Sequence, residues 1–170
     1  MVLQNVIMQS IKKVIGLCVV ILGVALFQKP AQADECSDLY GAKKYQQAYS
    51  VCQKLAKKNE RDALFTLGLM YNYGHGALED QKEAFAAFKR AAKLGHAGAQ
   101  NNLGYYYFNG VTVAQDYKRA FLWFSLAAAM GFDEAGSFRD MAAKHLSMEE
   151  KSQAQAMAKA CRNSTYEMCE

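Results

Sequence analysis

The residue types that most often carry chemistry are dispersed along this chain. Its three histidines, His75, His96 and His145, have no metal-ligand spacing between them, and His75 and His96 are best interpreted as polar loop residues. The sequence contains no H-E-x-x-H, no G-x-S-x-G and no glycine-rich phosphate loop. Its one S-x-x-K, Ser10 to Lys13, precedes the expected mature chain. We therefore expect no catalytic residue, no metal site and no cofactor.

Two pairs of adjacent acids have a structural explanation. Asp80, which follows Glu79, stands where a helix should begin, so its carboxylate suits an N-cap. Glu149 and Glu150 fall in the first turn of a predicted last helix, where the helix dipole favours negative charge. Ser147 with Glu150 also forms a capping-box pattern. These acids therefore mark helix starts.

The first 33 residues have the pattern of an export signal. Lys12 and Lys13 precede an apolar run of 14 residues, Val14 to Phe27, and Ala31-Gln32-Ala33 matches the pattern that a signal peptidase cleaves. We expect cleavage after Ala33. The alternative is an uncleaved membrane anchor, although a helix needs about 20 apolar residues to span a bilayer.

The composition of the remaining chain favours a helical globular protein. The sequence is 52% hydrophobic and 21% charged, and its 170 residues include a single proline. Three of the 20 basic residues and none of the 16 acidic residues lie in the signal, which leaves the mature chain with a net charge of +1. No basic patch remains to indicate nucleic-acid binding.

An internal repeat of 36 residues determines the predicted fold. Ala63–Gly95 aligns without a gap with Ala99–Gly131. Each unit predicts two helices, the first with a stripe such as Ala63, Leu67 and Tyr71 at helical spacing. A glycine inside each first helix indicates close approach of a partner helix, and other glycines end the helices. The matched positions include Gly68 with Gly104, Gly74 with Gly110, Asp80 with Asp116, Phe88 with Phe124 and Gly95 with Gly131.

The pattern A-x-x-x-L-G-x-x-Y-x-x-G, followed by D-x-x-x-A and A-A-x-x-G, resembles the Sel1-like repeat, a relative of the tetratricopeptide repeat. The resemblance covers residues 61–135 and implies an all-α fold, an α/α solenoid of antiparallel helix pairs, that binds protein partners. Thr112 stands where the first unit has Gly76, so we expect the second inter-helix loop to be stiffer or differently shaped.

The flanks look like degenerate repeats that cap the solenoid, because a terminal repeat has one face without a neighbour. We expect five segments: a signal peptide at 1–33, a capping helix pair at 34–60, repeats at 61–96 and 97–132, and a degenerate repeat with a final helix at 133–170.

Four cysteines remain after the signal, and an even number in an exported protein indicates two disulfides. A hairpin turn near Lys43 would set Cys36 beside Cys52. Cys161 and Cys169 are then left, and their pairing requires the chain to turn back near Asn163. Free buried thiols are the alternative.

The first helix of each unit has a side that could bind a partner, since first helices line the concave face of stacked hairpins. Phe65 and Phe108 also lie on this side, but we expect them to contribute less to binding. Part of this side could instead pack against the neighbouring first helix. Tyrosine and asparagine suit a peptide groove. The predicted protein-binding residues are Leu69, Tyr73, Asn102, Tyr105 and Asn109.

The function that follows is a non-enzymatic adaptor or scaffold, periplasmic or secreted, monomeric, and attached to a membrane only if its signal is kept. Two alternatives stay open. Some cysteine-rich exported relatives are associated with β-lactam binding or hydrolysis, but they have a cysteine pair in each repeat and neither repeat here has one. The other alternative is a secreted factor directed at a host.

Overall fold

The computed structural model describes residues 31–166 and Cys169, so the expected signal up to position 30 lies outside the described residues. The described chain is all-helical, without a strand. Its eight helices are α1 (Ala31–Gly41), α2 (Tyr45–Ala56), α3 (Arg61–Tyr73), α4 (Gln81–Lys93), α5 (Ala97–Asn109), α6 (Tyr117–Ala129), α7 (Asp133–Ala143) and α8 (Met148–Asn163).

The helices pack in the order of a solenoid. The two predicted repeats are the pairs α3 with α4 and α5 with α6, whose helices pack closely against each other. Helix α2 packs on α3, α4 on α5, and α6 on α7. The last helix differs, because α8 packs on α6, the second helix of the preceding pair. Among the described residues, no helix is both long and apolar enough to cross a bilayer.

The residues predicted to begin and end the helices of the repeats do so in the structure. Gly74 and Gly110 end α3 and α5 in the left-handed conformation, with φ of 66° and 70°. The Asp80 carboxylate accepts the backbone N–H groups of Lys82 and Glu83, and the Asp116 carboxylate caps α6 by accepting the backbone N–H of Arg119. At α8, Ser147 and Glu150 form a complete capping box, whose backbone hydrogen bond from Ser147 lowers the pKa of Glu150.

The loops inside the two repeats have matching conformations, so the expectation of a differently shaped second loop is wrong. Gly76 has φ of 77° and Thr112 has φ of 59°. Equivalent backbone hydrogen bonds close both loops, from Asp80 to Tyr71 at 3.0 Å and from Asp116 to Tyr107 at 2.9 Å. Thr112 adopts the left-handed conformation because these backbone hydrogen bonds determine the course of the loop. A β-branched residue is strained in that conformation.

The glycines inside the first helices allow the close approach predicted from their position. A Cβ at Gly68 would lie 2.6 Å from the ring of Phe88, and one at Gly104 would lie 2.6 Å from the ring of Phe124. Both rings are buried. A cost of about 1 kcal/mol in helix propensity is therefore offset by seating an aromatic ring directly on the helix backbone.

Helix α6 divides the buried residues into two clusters. Leu122, Trp123 and Leu126 join a large cluster that begins at the N-terminal helix pair and includes the cysteines of both ends. Phe121 and Phe124 join a smaller cluster under α7 and α8. One helix thus holds the repeats and the C-terminal cap together.

Disulfide bonds link Cys36 with Cys52 and Cys161 with Cys169. Their Cα atoms are 5.1 and 4.7 Å apart, inside the usual range for disulfides. The first bond joins α1 to α2 after a turn in which Lys43 has φ of 58°. The second follows a turn past the end of α8, so each bond lies at one end of the solenoid.

Candidate protein-binding surface

The most exposed aromatic residue of α3 is Tyr73, 59% exposed at the end of that helix. It lies four residues after Leu69, on the same side of the helix. Its ring centroid is 5.7 Å from that of His75, which stacks at 4.3 Å on Tyr45 of α2. Tyr73 therefore projects beside an aromatic group that joins the N-terminal pair to the first repeat.

Helix α5 presents a second exposed tyrosine. Tyr105 is 52% exposed, and the exposed Asn109 one turn later donates its side-chain amide to the Tyr105 carbonyl at 3.0 Å. Asn102 is half-buried one turn earlier. We call Tyr73, Tyr105 and Asn109 the tyrosine face.

The helices that carry the tyrosine face are neighbours. A Cβ at Gly98 of α5 would lie 3.1 Å from the ring of Phe65 in α3. At their other ends, the Tyr106 hydroxyl lies 3.0 Å from the side-chain oxygen of Asn72. Contacts at both ends therefore set α3 and α5 side by side.

The tyrosine face lies on helices with almost no charge. Helix α5 contains no charged residue, and the only charged residues of α3 are Arg61 and Asp62 in its first turn. Such a surface offers aromatic rings and amides to a partner, and recognition there depends little on salt.

Other residues of the predicted binding side serve mainly in packing. Leu69 is half-buried against the main cluster. Phe65 is covered by His96, with ring centroids 4.0 Å apart, and Phe108 packs on Tyr117 at 5.4 Å. Phe65, which lies against Gly98 of α5, therefore fits the open alternative of packing against the neighbouring first helix. Leu69 and Phe108 are also partly buried, Leu69 against the main cluster and Phe108 against Tyr117 of α6.

Sequence reasoning missed a polar connection between the repeats. The Tyr106 hydroxyl lies 2.6 Å from the Gln81 side-chain oxygen as well as near Asn72, and Gln81 donates to the Asn72 carbonyl at 3.2 Å. Burial and the nearby Glu79 carboxylate raise the pKa of Tyr106 to about 12, so it stays a neutral donor. The one available signal is that a tyrosine replaces the buried Met70 of the first repeat.

Residues 61–96 and 97–132 each match the model of the Sel1 repeat. The protein contains two Sel1 repeats. Proteins with these repeats typically serve as scaffolds for protein–protein interactions. A comparison with curated protein sequences finds no match.

Solved structures with the Sel1-like fold resemble this chain. A protective antigen of uropathogenic Escherichia coli strains is 25% identical, with a TM-score of 0.72 over 84% of this chain. A Sel1 repeat protein from Oxalobacter formigenes is 27% identical, with a TM-score of 0.52 over 61% of this chain. The match spans only 32% of the first protein and 57% of the second, so the likeness concerns the repeat scaffold.

All three histidines contact aromatic rings around the Sel1 repeats. His75 stacks on Tyr45 and its Nδ1 lies 3.1 Å from the Tyr40 hydroxyl. His145 stacks on Tyr117 with ring centroids 4.1 Å apart. The histidines expected to be polar loop residues thus pack where helices meet. The described residues contain no group of three or more potential metal ligands.

His96 has an additional role as the N-cap of α5, where its Nδ1 accepts the backbone N–H of Ala99 at 3.1 Å. This hydrogen bond requires an unprotonated Nδ1. Burial lowers the pKa of His96 below its ordinary 6.5, and this effect outweighs the Asp62 carboxylate 3.8 Å from Nε2. Because the folded state disfavours the proton, this stabilisation is present above pH 6.5 and is lost as the pH falls.

We expect acidification from pH 7.5 to 5.5 to lower the free energy of unfolding through His96, by at most about 1.4 kcal/mol. Urea unfolding at both pH values measures the change. A His96→Asn variant keeps an N-cap side chain that does not titrate, and it should lose correspondingly less stability. Equal losses in both proteins would exclude His96 as the cause.

Proposed function

We propose that this protein is an exported, non-enzymatic adaptor whose tyrosine face binds a protein or peptide partner. The observation that supports this most directly is the exposure of Tyr73 and Tyr105 on adjacent first helices with almost no charge. Tyrosine is enriched where proteins bind one another.

The chemistry of the tyrosine face favours an uncharged, extended segment as the bound element. Tyrosine rings supply rigid apolar contact area, and the amides of Asn109 and of the neighbouring Asn102 can both donate to and accept from a peptide backbone. A strongly charged segment would find no opposite charge on α5. The partner segment should therefore be rich in apolar and small polar residues.

The same proposal includes export as a monomer after removal of residues 1–33. The two disulfides are consistent with an oxidising compartment, such as the periplasm or the extracellular space. Cleavage after Ala33 would remove the first three residues of α1 and leave residues 34–41, with the buried Cys36, as the start of the N-terminal cap.

Loss of the two tyrosines should strongly reduce partner capture. In pull-downs from envelope extracts, we expect a Tyr73→Ala, Tyr105→Ala double variant to retain at least tenfold less partner than the wild type, since central interface tyrosines contribute about 2 kcal/mol or more. Capture by the wild type should survive 0.5 M salt, because ionic screening has little to act on.

Met148→Ala is the matched control, since Met148 is an 81% exposed apolar residue at the start of α8, far along the chain from the repeats. It should capture the partner like the wild type. A partner retained by the double variant, or released by salt, contradicts the tyrosine face. A failure to recover any specific partner after mild cross-linking contradicts the adaptor function.

A second candidate is a secreted factor that acts outside the producing cell. It is favoured by the structural likeness to a protective antigen of uropathogenic Escherichia coli. Cell fractionation separates the two candidates: the mature protein in the culture medium supports the secreted factor, and its retention in the periplasm supports the adaptor.

A further inference from the structure

A small open pocket lies between α6 and α8, the two second helices that pack on each other at the C-terminal end. Its volume is about 190 Å³. A cavity of about 150 Å³ accepts benzene, so this pocket has room for a six-carbon group and not for a drug-sized ligand. It belongs to different helices from the tyrosine face.

The floor of the pocket is apolar. Leu126 of α6 and Ala158 of α8 line it and are 2% and 9% exposed, and Ala129 extends this surface toward solvent. A branched aliphatic group placed on this floor would bury its own apolar surface and that of the floor. Such burial is favourable by about 25 cal/mol per Å² of apolar surface. The floor therefore suits a short apolar body.

The rim of the pocket is cationic. Lys159 and Arg162 line it from consecutive turns of α8, and none of the lining residues is acidic. Neither side chain forms an ion pair within the part of the chain that the structure describes. Two like charges three residues apart on a helix are mildly unfavourable, and an anion between them would remove that cost.

The dipole at the helix C-terminus explains only part of this arrangement. Arg162 lies in the last turn of α8, where a cation is favourable for the helix itself. Lys159 lies one turn earlier and still borders the pocket. An arginine fork and a lysine ammonium at the edge of an apolar floor are well suited to a carboxylate with a short apolar chain.

We propose that the α6–α8 pocket binds a small aliphatic carboxylate, with the chain on Leu126, Ala129 and Ala158 and the carboxylate between Lys159 and Arg162. Two sources share this chemistry: a free short-chain acid, and the carboxyl-terminal residue of a partner polypeptide. Either gives this protein a second binding site, separate from its tyrosine face.

The test is an NMR titration of the purified, isotope-labelled protein with 4-methylpentanoate and, as its uncharged match, 4-methylpentanamide. The acid should shift the backbone resonances of Leu126, Ala129 and Ala158 saturably, and the amide should bind at least tenfold more weakly. Equal binding of acid and amide would overturn the proposal. The absence of a saturable shift at these residues up to about 20 mM acid would also overturn it, because that concentration covers the affinities of weak small ligands.

Charge-removing variants give a second measurement. Lys159→Gln with Arg162→Gln should weaken acid binding at least tenfold, since both positions are exposed and their loss should not disturb folding. Lys57→Gln with Lys58→Gln removes the same charge from exposed positions after α2 and should bind like the wild type. Unchanged binding in the Lys159, Arg162 variant overturns the site.

A pentapeptide of glycine and serine that ends in leucine distinguishes the two sources. If its free-acid form binds at least tenfold more tightly than 4-methylpentanoate, and its C-terminal amide does not, the pocket recognises a polypeptide end. If the peptide is no better than the small acid, the ligand is a free short-chain acid. The Tyr73, Tyr105 double variant should bind both probes normally, so failure of the tyrosine face leaves this result intact.

Discussion

Replacement of Gly76 by alanine should lower the free energy of unfolding by about 3 kcal/mol. The new Cβ would lie 2.5 Å from the Tyr45 carbonyl oxygen and 2.8 Å from its carbon, which are backbone atoms that no rotamer change can move. Gly76 also has φ of 77°, which costs an L-residue about 1–2 kcal/mol. Overpacking adds about 1–3 kcal/mol. Urea unfolding at pH 7.5 measures the difference.

Gly131→Ala is the control that separates the two contributions. Gly131 has φ of 83°, but a Cβ there would meet nothing within 4 Å. This variant should lose only the conformational cost of about 1 kcal/mol. If Gly76→Ala is no more destabilising than Gly131→Ala, the close contact between the first repeat and α2 is wrong.

Removal of the N-terminal disulfide should cost a similar amount. Cys36 and Cys52 are 16 residues apart, and a loop of this size corresponds to about 3 kcal/mol of stabilisation through the unfolded state. Both cysteines are fully buried, so a Cys36→Ala, Cys52→Ala variant is preferable to serine, which would bury an unpaired hydroxyl. Urea unfolding under non-reducing conditions measures the loss.

Intact mass after alkylation provides the control for the starting protein, in which the mature chain should show no free thiol. The Cys161–Cys169 disulfide closes a loop of only 8 residues, so a Cys161→Ala, Cys169→Ala variant should lose slightly less stability, about 2.5 kcal/mol. Two or more alkylated cysteines in the wild type, or wild-type stability in the Cys36, Cys52 variant, would contradict a solenoid held by disulfides at its ends.

The candidate surface was only partly predictable. Helical spacing placed Leu69 and Tyr73 on one side of a helix, but the spacing alone does not say how far a neighbouring helix covers that side. The structure leaves Tyr73 exposed and seats Leu69 against the core. The same distinction separates Tyr105 from Phe108, which lie three residues apart on α5.

Sequence by itself determined the repeat, the all-helical fold and the helix ends, because these depend on contacts within a few residues: Asp116 caps its own helix and Gly110 ends its own helix. It also indicated the close helix approach at Gly104, since a glycine repeated inside a helix needs a packing reason.

Only the tertiary structure determined the contacts and packing between elements that are distant along the chain. It placed the Tyr106 hydroxyl between Asn72 and Gln81, forced Thr112 into the conformation of Gly76, and packed α8 on α6 to leave the cationic pocket beside Lys159. These outcomes depend on how whole helices tilt and interlock, and no local propensity encodes that geometry.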